Sequence, residues 1–227
     1  MKTYPCPSCG ANVVFRTSVA AYAVCPYCRA MLVRVDDGIK SMGEAAQVPE
    51  DTSPFQIGTG GIYNGVHFGI VGRIKMGWKD GSWNEWFIVS DDARKGWLAE
   101  AQGFYAPCFD VTDVLDDDTR RALARLANDM NVGKQQATPT DMLGKYFSLN
   151  GKKYHIVDIK DAECIGAEGE LPMGATKGRD SLSIDLLYGE GEFASIEFTK
   201  DSTRVYTGRY VEWQELSCTY FRTFDGW

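Results

Sequence analysis

Four cysteines near the N-terminus have the spacing of a metal-binding site. Two residues separate Cys6 from Cys9 and Cys25 from Cys28, and fifteen residues separate the two pairs. Two residues between paired thiolates allow a tight turn to direct both sulfurs at one ion, and zinc prefers four such ligands in a tetrahedron. Because all four positions are cysteine, no coordination position stays open for water or substrate. The spacing therefore predicts one structural Zn²⁺ ion.

The segment between the cysteine pairs must bring them together. Residues 13–15 predict one strand and residues 21–24 the returning strand of a hairpin, while Gly10 can take the left-handed conformation that turns the chain. The first 35 residues resemble the zinc ribbon family, in which metal binding supplies folding energy to a piece too small for its own core. The alternative is a redox pair, but a thioredoxin-type motif has one C-x-x-C in a βαβ setting.

Composition and charge exclude several classes of protein. The chain has 227 residues, 44% of them hydrophobic, and a net charge of -7. That composition supports a folded core, and an acidic surface repels nucleic acid and anionic lipid. A basic face with Arg16, Arg29 and Arg34 leaves nucleic-acid binding as the fourth-ranked hypothesis. No run approaches the ~20 apolar residues of a membrane span. Without a signal-peptide core or a disulfide pattern, we expect a cytoplasmic protein.

Two related β-rich halves are predicted after a polar segment at residues 36–54, which has the composition of a linker. Asn64-Gly65 and Asn150-Gly151 each begin the pattern N-G-x-x-aromatic-x-I-V, and Asn-Gly favours a tight hairpin turn. We interpret the repeat as a tandem duplication, with an enlarged glycine-rich loop around residues 163–179 in the second half. Two independent hairpins are the alternative.

One α-helix is predicted between the halves. Asp116 and the residues that follow it suit a helix N-terminus, and Gly133 suits its end. An apolar stripe at helical spacing lies between them, formed by Ala122, Leu123, Leu126, Ala127 and Met130. The predicted fold is mainly β, with a zinc ribbon and two tandem antiparallel β units that are barrel- or sandwich-like. The predicted boundaries are 1–35 for the ribbon, 36–54 for the linker, 55–115 and 141–218 for the β units, and 116–132 for the helix.

A group of tryptophans and carboxylates in the first half could bind a ligand. Strand alternation places Trp83 and Glu85 on one face and Trp86 on the other. Tryptophan rings and carboxylates attract an organic cation such as a polyamine, through cation–π interaction and charge. The alternative is that the tryptophans form the core of a small β unit. The candidate ligand-binding residues are Trp78, Trp83, Glu85, Trp86, Trp97 and Glu100.

Catalytic signatures are weak in this sequence. No G-x-S-x-G, phosphate-binding loop or H-E-x-x-H pattern is present, and His67 and His155 are the only histidines. The single cysteines Cys108, Cys164 and Cys218 lack a flanking signature and are typical of buried positions. We assign no catalytic residue. An enzyme that uses one of the histidines with a nearby carboxylate is the third-ranked hypothesis.

Several segments of the body resemble a known bacterial family. Trp83-x-Glu85-Trp86, the run GWLAEAQG at 96–103 and the run GEGEFA at 189–194 are similar to the domain of unknown function 4178, over roughly residues 55–218. The resemblance implies an N-terminal zinc ribbon, no established activity, and neighbours that are membrane proteins or are linked to envelope stress or polyamine metabolism. The leading hypothesis is a non-catalytic adaptor that binds a protein partner, which the resemblance places near the membrane. A sensor of a small cationic ligand is second.

Overall fold

The computed structural model describes residues 1–130, 142–176 and 178–224. The predicted helix end at Gly133 and the first residue of the predicted second unit, at 141, lie outside these ranges. The described residues are mainly β, as predicted, with one α-helix, α1, at Asp117–Asp129 and short 3₁₀ helices at Thr112–Val114 and Trp213–Leu216. The strands are β1 (Lys2–Pro5), β2 (Asn12–Phe15), β3 (Tyr22–Val24), β4 (Ala30–Val35), β5 (Gly38–Glu44), β6 (Gly60–Tyr63), β7 (Val66–Trp78), β8 (Gly81–Ser90), β9 (Lys95–Ala101), β10 (Phe104–Asp110), β11 (Tyr146–Leu149), β12 (Lys152–Leu171), β13 (Asp180–Tyr188), β14 (Glu192–Phe198) and β15 (Thr203–Arg209).

The two halves of the body fold on the same plan. β6–β10 and β11–β15 are each a five-stranded antiparallel meander. The first hairpin of each meander turns at the predicted dipeptide, with φ of +50° and +76° at Asn64-Gly65 and +46° and +79° at Asn150-Gly151. Positive φ at both central residues is the geometry for which Asn-Gly is favoured. Both hairpin predictions are confirmed, and the shared plan supports an internal repeat.

The meanders share one sheet. β10 pairs with β15 and β7 pairs with β12, so that eight antiparallel strands form a partly closed ring. Within the ring, β12 pairs with two strands. Its first part pairs with β13, and its second part, from Glu163 to Gly169, pairs with β7. The prediction of a loop around 163–179 is therefore wrong for residues 163–171. Pairing with β7 supplies this part of β12 with backbone hydrogen bonds that the local sequence does not reveal.

Glycine allows β7 and β12 to approach closely. A Cβ atom at Gly72 would overlap the carbonyl oxygen of Glu170, and one at Gly169 would overlap that of Val71. Gly169 also has a φ of +74°, which L side chains rarely adopt. Some of the glycines that suggested a loop are therefore required where the ring closes.

The N-terminal ribbon contains two hairpins. β1 pairs with β2, and β3 pairs with β4. The predicted strands at 13–15 and 21–24 exist, but their predicted pairing with each other is wrong, because each cysteine pair lies in the turn of its own hairpin. β3 also pairs with the end of β12, where the Glu170 carboxylate accepts hydrogen bonds from the backbone amides of Arg16 (2.7 Å) and Thr17 (2.9 Å). These bonds dock the ribbon on the ring.

Apolar side chains cover the outer surface of the ring on both halves. Phe55 and the C-terminal residues Val211 and Leu216 pack on the first meander. Helix α1 covers the second meander with Leu123 and Leu126, from the stripe that the sequence predicted. Among the described residues, no helix has the length and apolar character needed to cross a bilayer.

Helix α1 begins where the sequence predicts. The Asp116 carboxylate accepts a hydrogen bond of 2.7 Å from the amide of Thr119, which satisfies one of the unpaired donors of the first turn. The predicted N-terminal cap is confirmed.

Candidate functional site

The four predicted metal ligands converge at the tips of the two ribbon hairpins. All four Sγ atoms lie within 4.8 Å of one another. The Sγ atoms of Cys6 and Cys28 are 3.7 Å apart, and those of Cys9 and Cys25 are 3.8 Å apart. Zinc–sulfur bonds of ~2.3 Å directed to the corners of a tetrahedron place the sulfurs about 3.8 Å from one another. The cluster therefore fits a tetrahedral metal ion.

Backbone hydrogen bonds shape both cysteine turns in the same way. The amide of Gly10 donates to the carbonyl of Cys6 at 2.8 Å, and the amide of Arg29 donates to that of Cys25 at 2.9 Å. Gly10 and Arg29 both have left-handed backbone, with φ of +77° and +59°. The prediction for Gly10 is confirmed. The two turns present their thiols in matching geometry, which favours a shared ion.

A second candidate site is a cavity of 240 Å³ inside the ring. Four of the six predicted ligand-binding residues line it: Trp78, Trp83, Glu85 and Trp97. Each lies on the face of its strand that points into the ring, and Trp83 and Glu85 share that face because they are two positions apart on β8. At ~30 Å³ per water, the volume equals about eight water molecules, which suits a small ligand.

The other two predicted residues, Trp86 and Glu100, lie on the outer surface of the same strands. The buried Glu100 carboxylate accepts hydrogen bonds from Ser53 Oγ (2.7 Å), Asn84 Nδ2 (3.0 Å) and Trp86 Nε1 (2.8 Å). Strand alternation thus divides the predicted cluster into an inner group and an outer group. The outer group packs against the protein itself.

Asp51 extends this outer network. Its carboxylate accepts hydrogen bonds from Arg73, Lys75 and Asn84, and it pairs with Arg222 at 3.2 Å. Burial opposes ionisation, but the Lys75 hydrogen bond and the Arg73 charge together lower the pKa of Asp51 to about 2. The network holds two parts of the chain against the ring: the end of the predicted linker, at Asp51, and the C-terminal tail, at Arg222.

Aromatic rings form one wall of the cavity. The rings of Trp78 and Trp83 are 5.4 Å apart, and those of Phe193 and Tyr210 are 5.2 Å apart. The Nζ atom of Lys160 lies over the Trp78 ring, 5.1 Å from its centre. This wall therefore already holds one ammonium group in cation–π geometry.

Carboxyl groups also line the cavity, next to the aromatic rings. Glu85 accepts a hydrogen bond of 3.0 Å from Trp83 Nε1, and Glu197 pairs with Arg179 at 3.1 Å. Burial, together with the nearby charge of Glu197, raises the pKa of Glu85 to about 7. Burial also raises the pKa of Asp185. The cavity thus holds carboxyl groups that ionise less readily than they would in water.

The contribution of the second meander was missed by sequence reasoning. Ser183 and Asp185 on β13 and Ser195 and Glu197 on β14 line the same cavity. A signal for them exists in the sequence, because polar residues alternate with apolar ones along both strands. The apolar residues, such as Ile184, face outward under helix α1, and the polar residues face inward. This arrangement reverses the usual pattern of a half-exposed strand.

A wider depression of 980 Å³ lies at the end of the ring that faces the ribbon. It shares Trp97, Ser181 and Tyr206 with the smaller cavity, and it extends to Tyr22 and Met31 of the ribbon. Because these residues are shared, the smaller cavity lies directly behind the depression, and the depression lies between the cavity and the ribbon.

The remaining reactive side chains lie in varied places. His67 on β7 and His155 on β12 are both exposed, and neither lines the cavity. Within the described ranges, neither histidine forms an ion pair with a carboxylate. Cys108 lines the cavity, where burial raises its pKa, Cys164 is buried and Cys218 is half-buried. No group of these residues resembles a catalytic constellation.

Comparison with known proteins agrees with the resemblance in the sequence. A family model described as "Domain of unknown function (DUF4178)" matches residues 56–213, which include the whole ring and helix α1. No curated protein and no solved structure matches the chain. Because the match covers more than half of the residues, the chain belongs to the DUF4178 family.

Proposed function

We propose that this protein binds a small organic cation in the cavity of its β ring and that it does so without catalysing a reaction. The observation that supports this function is the pairing of an aromatic wall with carboxyl groups that, within the described ranges, form no ion pair with a basic residue. Trp78 and Trp83 supply the rings, and Glu85 and Asp185 supply the negative charge. Such a lining attracts an ammonium group by both cation–π interaction and charge.

The nucleophiles of the cavity favour binding over catalysis. Burial raises the pKa of both the Cys108 thiol and the Tyr206 hydroxyl. Both groups therefore stay protonated near neutral pH, where a thiolate or a phenolate would be the reactive form. The negative charges of nearby carboxylates raise both pKa values further, from Glu85 on Cys108 and from Glu197 on Tyr206.

Isothermal calorimetry and tryptophan fluorescence test this function at pH 8, with propylamine, 1,3-diaminopropane and tetramethylammonium as probes. We expect saturable heat and a fluorescence change with at least one probe. Trp83→Phe should weaken that binding about 3- to 30-fold, the range expected for one cation–π contact. Trp213→Phe is the control, because Trp213 is partly exposed and lies outside the cavity. Absence of heat and of a fluorescence change with all three probes would contradict the proposal.

We infer further that the four-cysteine cluster holds one structural zinc ion. The support is the tetrahedral spacing of the sulfurs and a ligand set of four cysteines, which leaves no position for a substrate. Tetrahedral thiolate sites also suit iron, so the metal must be measured. Metal analysis of protein purified without chelators should give one zinc per chain. One iron per chain, or no metal, would overturn this inference.

The adaptor hypothesis remains a prediction. A protein partner, including one associated with a membrane, would bind outside the cavity. A pull-down with the full chain from a detergent extract tests it, because a stoichiometric partner would support an adaptor. A cytoplasmic location also remains a prediction, supported by seven cysteines of which none forms a disulfide bond.

A further inference from the structure

The charges of the cavity do not balance. Two carboxylates have a cationic partner, since Glu197 pairs with Arg179 and Asp158 pairs with Lys160. Glu85 receives one hydrogen bond from a tryptophan, and Asp185 receives one from Ser195. Among the described residues, no Lys or Arg forms an ion pair with Glu85 or Asp185, so two carboxyl groups face the cavity without a cation of their own.

Such carboxyl groups need a proton or a positive charge. A charge without a partner is costly in a region shielded from water, so a buried carboxyl group takes up a proton instead. The raised pKa values of Glu85 and Asp185 agree with this, although Arg179 and Lys160 act in the opposite direction. In the protein without a ligand, a proton on each carboxyl group removes the negative charge that a bound cation would otherwise balance.

Among the described residues that line the cavity, no other group without an ion pair takes up or releases a proton near neutral pH. Cys108 on β10, Tyr206 on β15 and Tyr210, the residue after β15, face the cavity, and burial raises the pKa of each, to about 12 for Tyr210. These groups remain neutral. The lining residues from β7 and β9 carry no charge.

We propose that a cationic ligand enters the cavity in exchange for the protons of Glu85 and Asp185. This inference rests on the proposed function, and it adds the regulation of that site. Each positive charge that enters releases one proton, so the total charge in the cavity is conserved. A ligand with one ammonium group releases about one proton, and a ligand with two ammonium groups releases about two. Binding is then tighter at higher pH.

The size of the effect follows from linkage. When binding requires loss of a proton from a group that holds it up to about pH 7, the affinity falls about tenfold between pH 8 and pH 6. Exchange of two protons makes the fall steeper. An exposed carboxylate, which is already ionised at pH 6, would give almost no change in this range.

Calorimetry at pH 6 in phosphate and in MES measures the exchange, because both compounds buffer at this pH and the observed heat differs between them in proportion to the protons released. With propylamine we expect about one proton, and with 1,3-diaminopropane about two. Glu85→Gln should reduce the release with 1,3-diaminopropane from about two protons to about one, and it should flatten the pH dependence. Glu190→Gln is the matched control, because Glu190 is exposed in the turn between β13 and β14. Binding that is independent of pH and of buffer would overturn the exchange while leaving the proposed function intact.

A measurement without any ligand keeps the two proposals separate. Carbon-13 NMR titration of the carboxyl groups in the full chain should show Glu85 ionising near pH 7, and Glu85→Gln identifies its signal. Ionisation of both Glu85 and Asp185 near pH 4 would overturn the exchange whether or not a cation binds. If the carboxyls titrate near neutral pH but no amine binds at pH 8, the proposed function fails and the exchange fails with it.

Discussion

The inner and outer surfaces of strands β8 and β9 carry the same residue types with opposite consequences. On the outer surface, Glu100 accepts three hydrogen bonds, and Asp51 contacts two buried cations, Arg73 and Lys75. On the inner surface, Glu85 has one hydrogen bond from a tryptophan and no ion pair with any cation in the part of the chain that the structure describes. The outer carboxylates are saturated by the protein, whereas the inner one is left for a proton or a ligand.

This difference indicates how one sheet can serve stability on one side and binding on the other. A carboxylate that is fully paired stabilises the fold and has no capacity for a ligand. A carboxyl group that lacks a partner reduces stability when it ionises, and it keeps its capacity to bind. Substitutions on the two surfaces should therefore change stability in opposite directions.

The largest effect is expected at Asp51. Asp51→Asn removes the negative charge between two buried cations, and we expect a loss of about 3–5 kcal/mol in the free energy of unfolding. Glu85→Gln should leave that free energy unchanged or raise it. Urea denaturation at pH 7.5 measures both. Asp92→Asn is the control, since Asp92 pairs with Arg94 at the surface, and this substitution should cost far less stability than Asp51→Asn. Equal losses from Asp51→Asn and Glu85→Gln would contradict the comparison.

The pH dependence of stability should reflect one carboxyl group on each surface, Glu85 on the inner surface and Asp51 on the outer one. The pKa of Glu85 is raised in the folded state, so its stabilising contribution is full at low pH and is lost as the pH rises from about 4.5 to 7. At about 1.4 kcal/mol per pKa unit, the loss is about 3 kcal/mol. The pKa of Asp51 is lowered, so its contribution is full above about pH 4 and is lost toward pH 2. Denaturation of wild type and Glu85→Gln from pH 3 to 8 tests this, and a fall that persists in the variant would exclude Glu85 as its cause.

A smaller loss is expected at Glu100. Glu100→Gln keeps an acceptor oxygen but removes the charge that strengthens the bonds from Ser53, Asn84 and Trp86. We expect a loss of about 1–2 kcal/mol in the free energy of unfolding, with cation binding in the cavity unchanged. Thermal denaturation and calorimetry on the same sample measure both. A change in affinity as large as that of Trp83→Phe would show that the two surfaces are coupled.

The smallest effect is expected inside the cavity at Ser183. Its hydroxyl lies 3.5 Å from that of Ser195, a long contact for a hydrogen bond. Ser183→Ala should change the free energy of unfolding by less than about 1 kcal/mol, as for a polar group that can use water instead. A loss above 2 kcal/mol by urea denaturation would indicate that the inner surface is as saturated as the outer one.

Part of the candidate site could be predicted from the sequence because its geometry is local. The cysteine spacing fixes the turn on which each pair lies, and the two turns of the ribbon bring the pairs together. Four of six predicted ligand residues share the cavity, but Trp86 and Glu100 do not. The division follows from strand alternation, which places neighbouring residues of β8 on opposite faces.

The half of the cavity formed by β13 and β14 was missed because it depends on ring closure. Pairs such as Gly77 with Glu163 and Cys108 with Gly208 join residues that are far apart in the chain. A polar inner face is also unusual, and it is explained only by helix α1, which buries the apolar outer face. The glycines in β12 indicated a loop for the same reason, since their need for close approach appears only when β7 is adjacent to Gly169 and residues 47–48 are adjacent to Gly166.

The sequence alone determined the features that depend on neighbouring residues: the cysteine turns, the two Asn-Gly hairpins, the cap of helix α1 and its apolar stripe. These features are fixed by backbone preferences and side-chain types within a few positions. Only the tertiary structure decided that the two meanders share one ring, which side chains of the two halves meet inside it, and which carboxyl groups find a cation. Those outcomes depend on contacts between distant segments, whose energies are comparable for many pairings until the whole sheet is assembled.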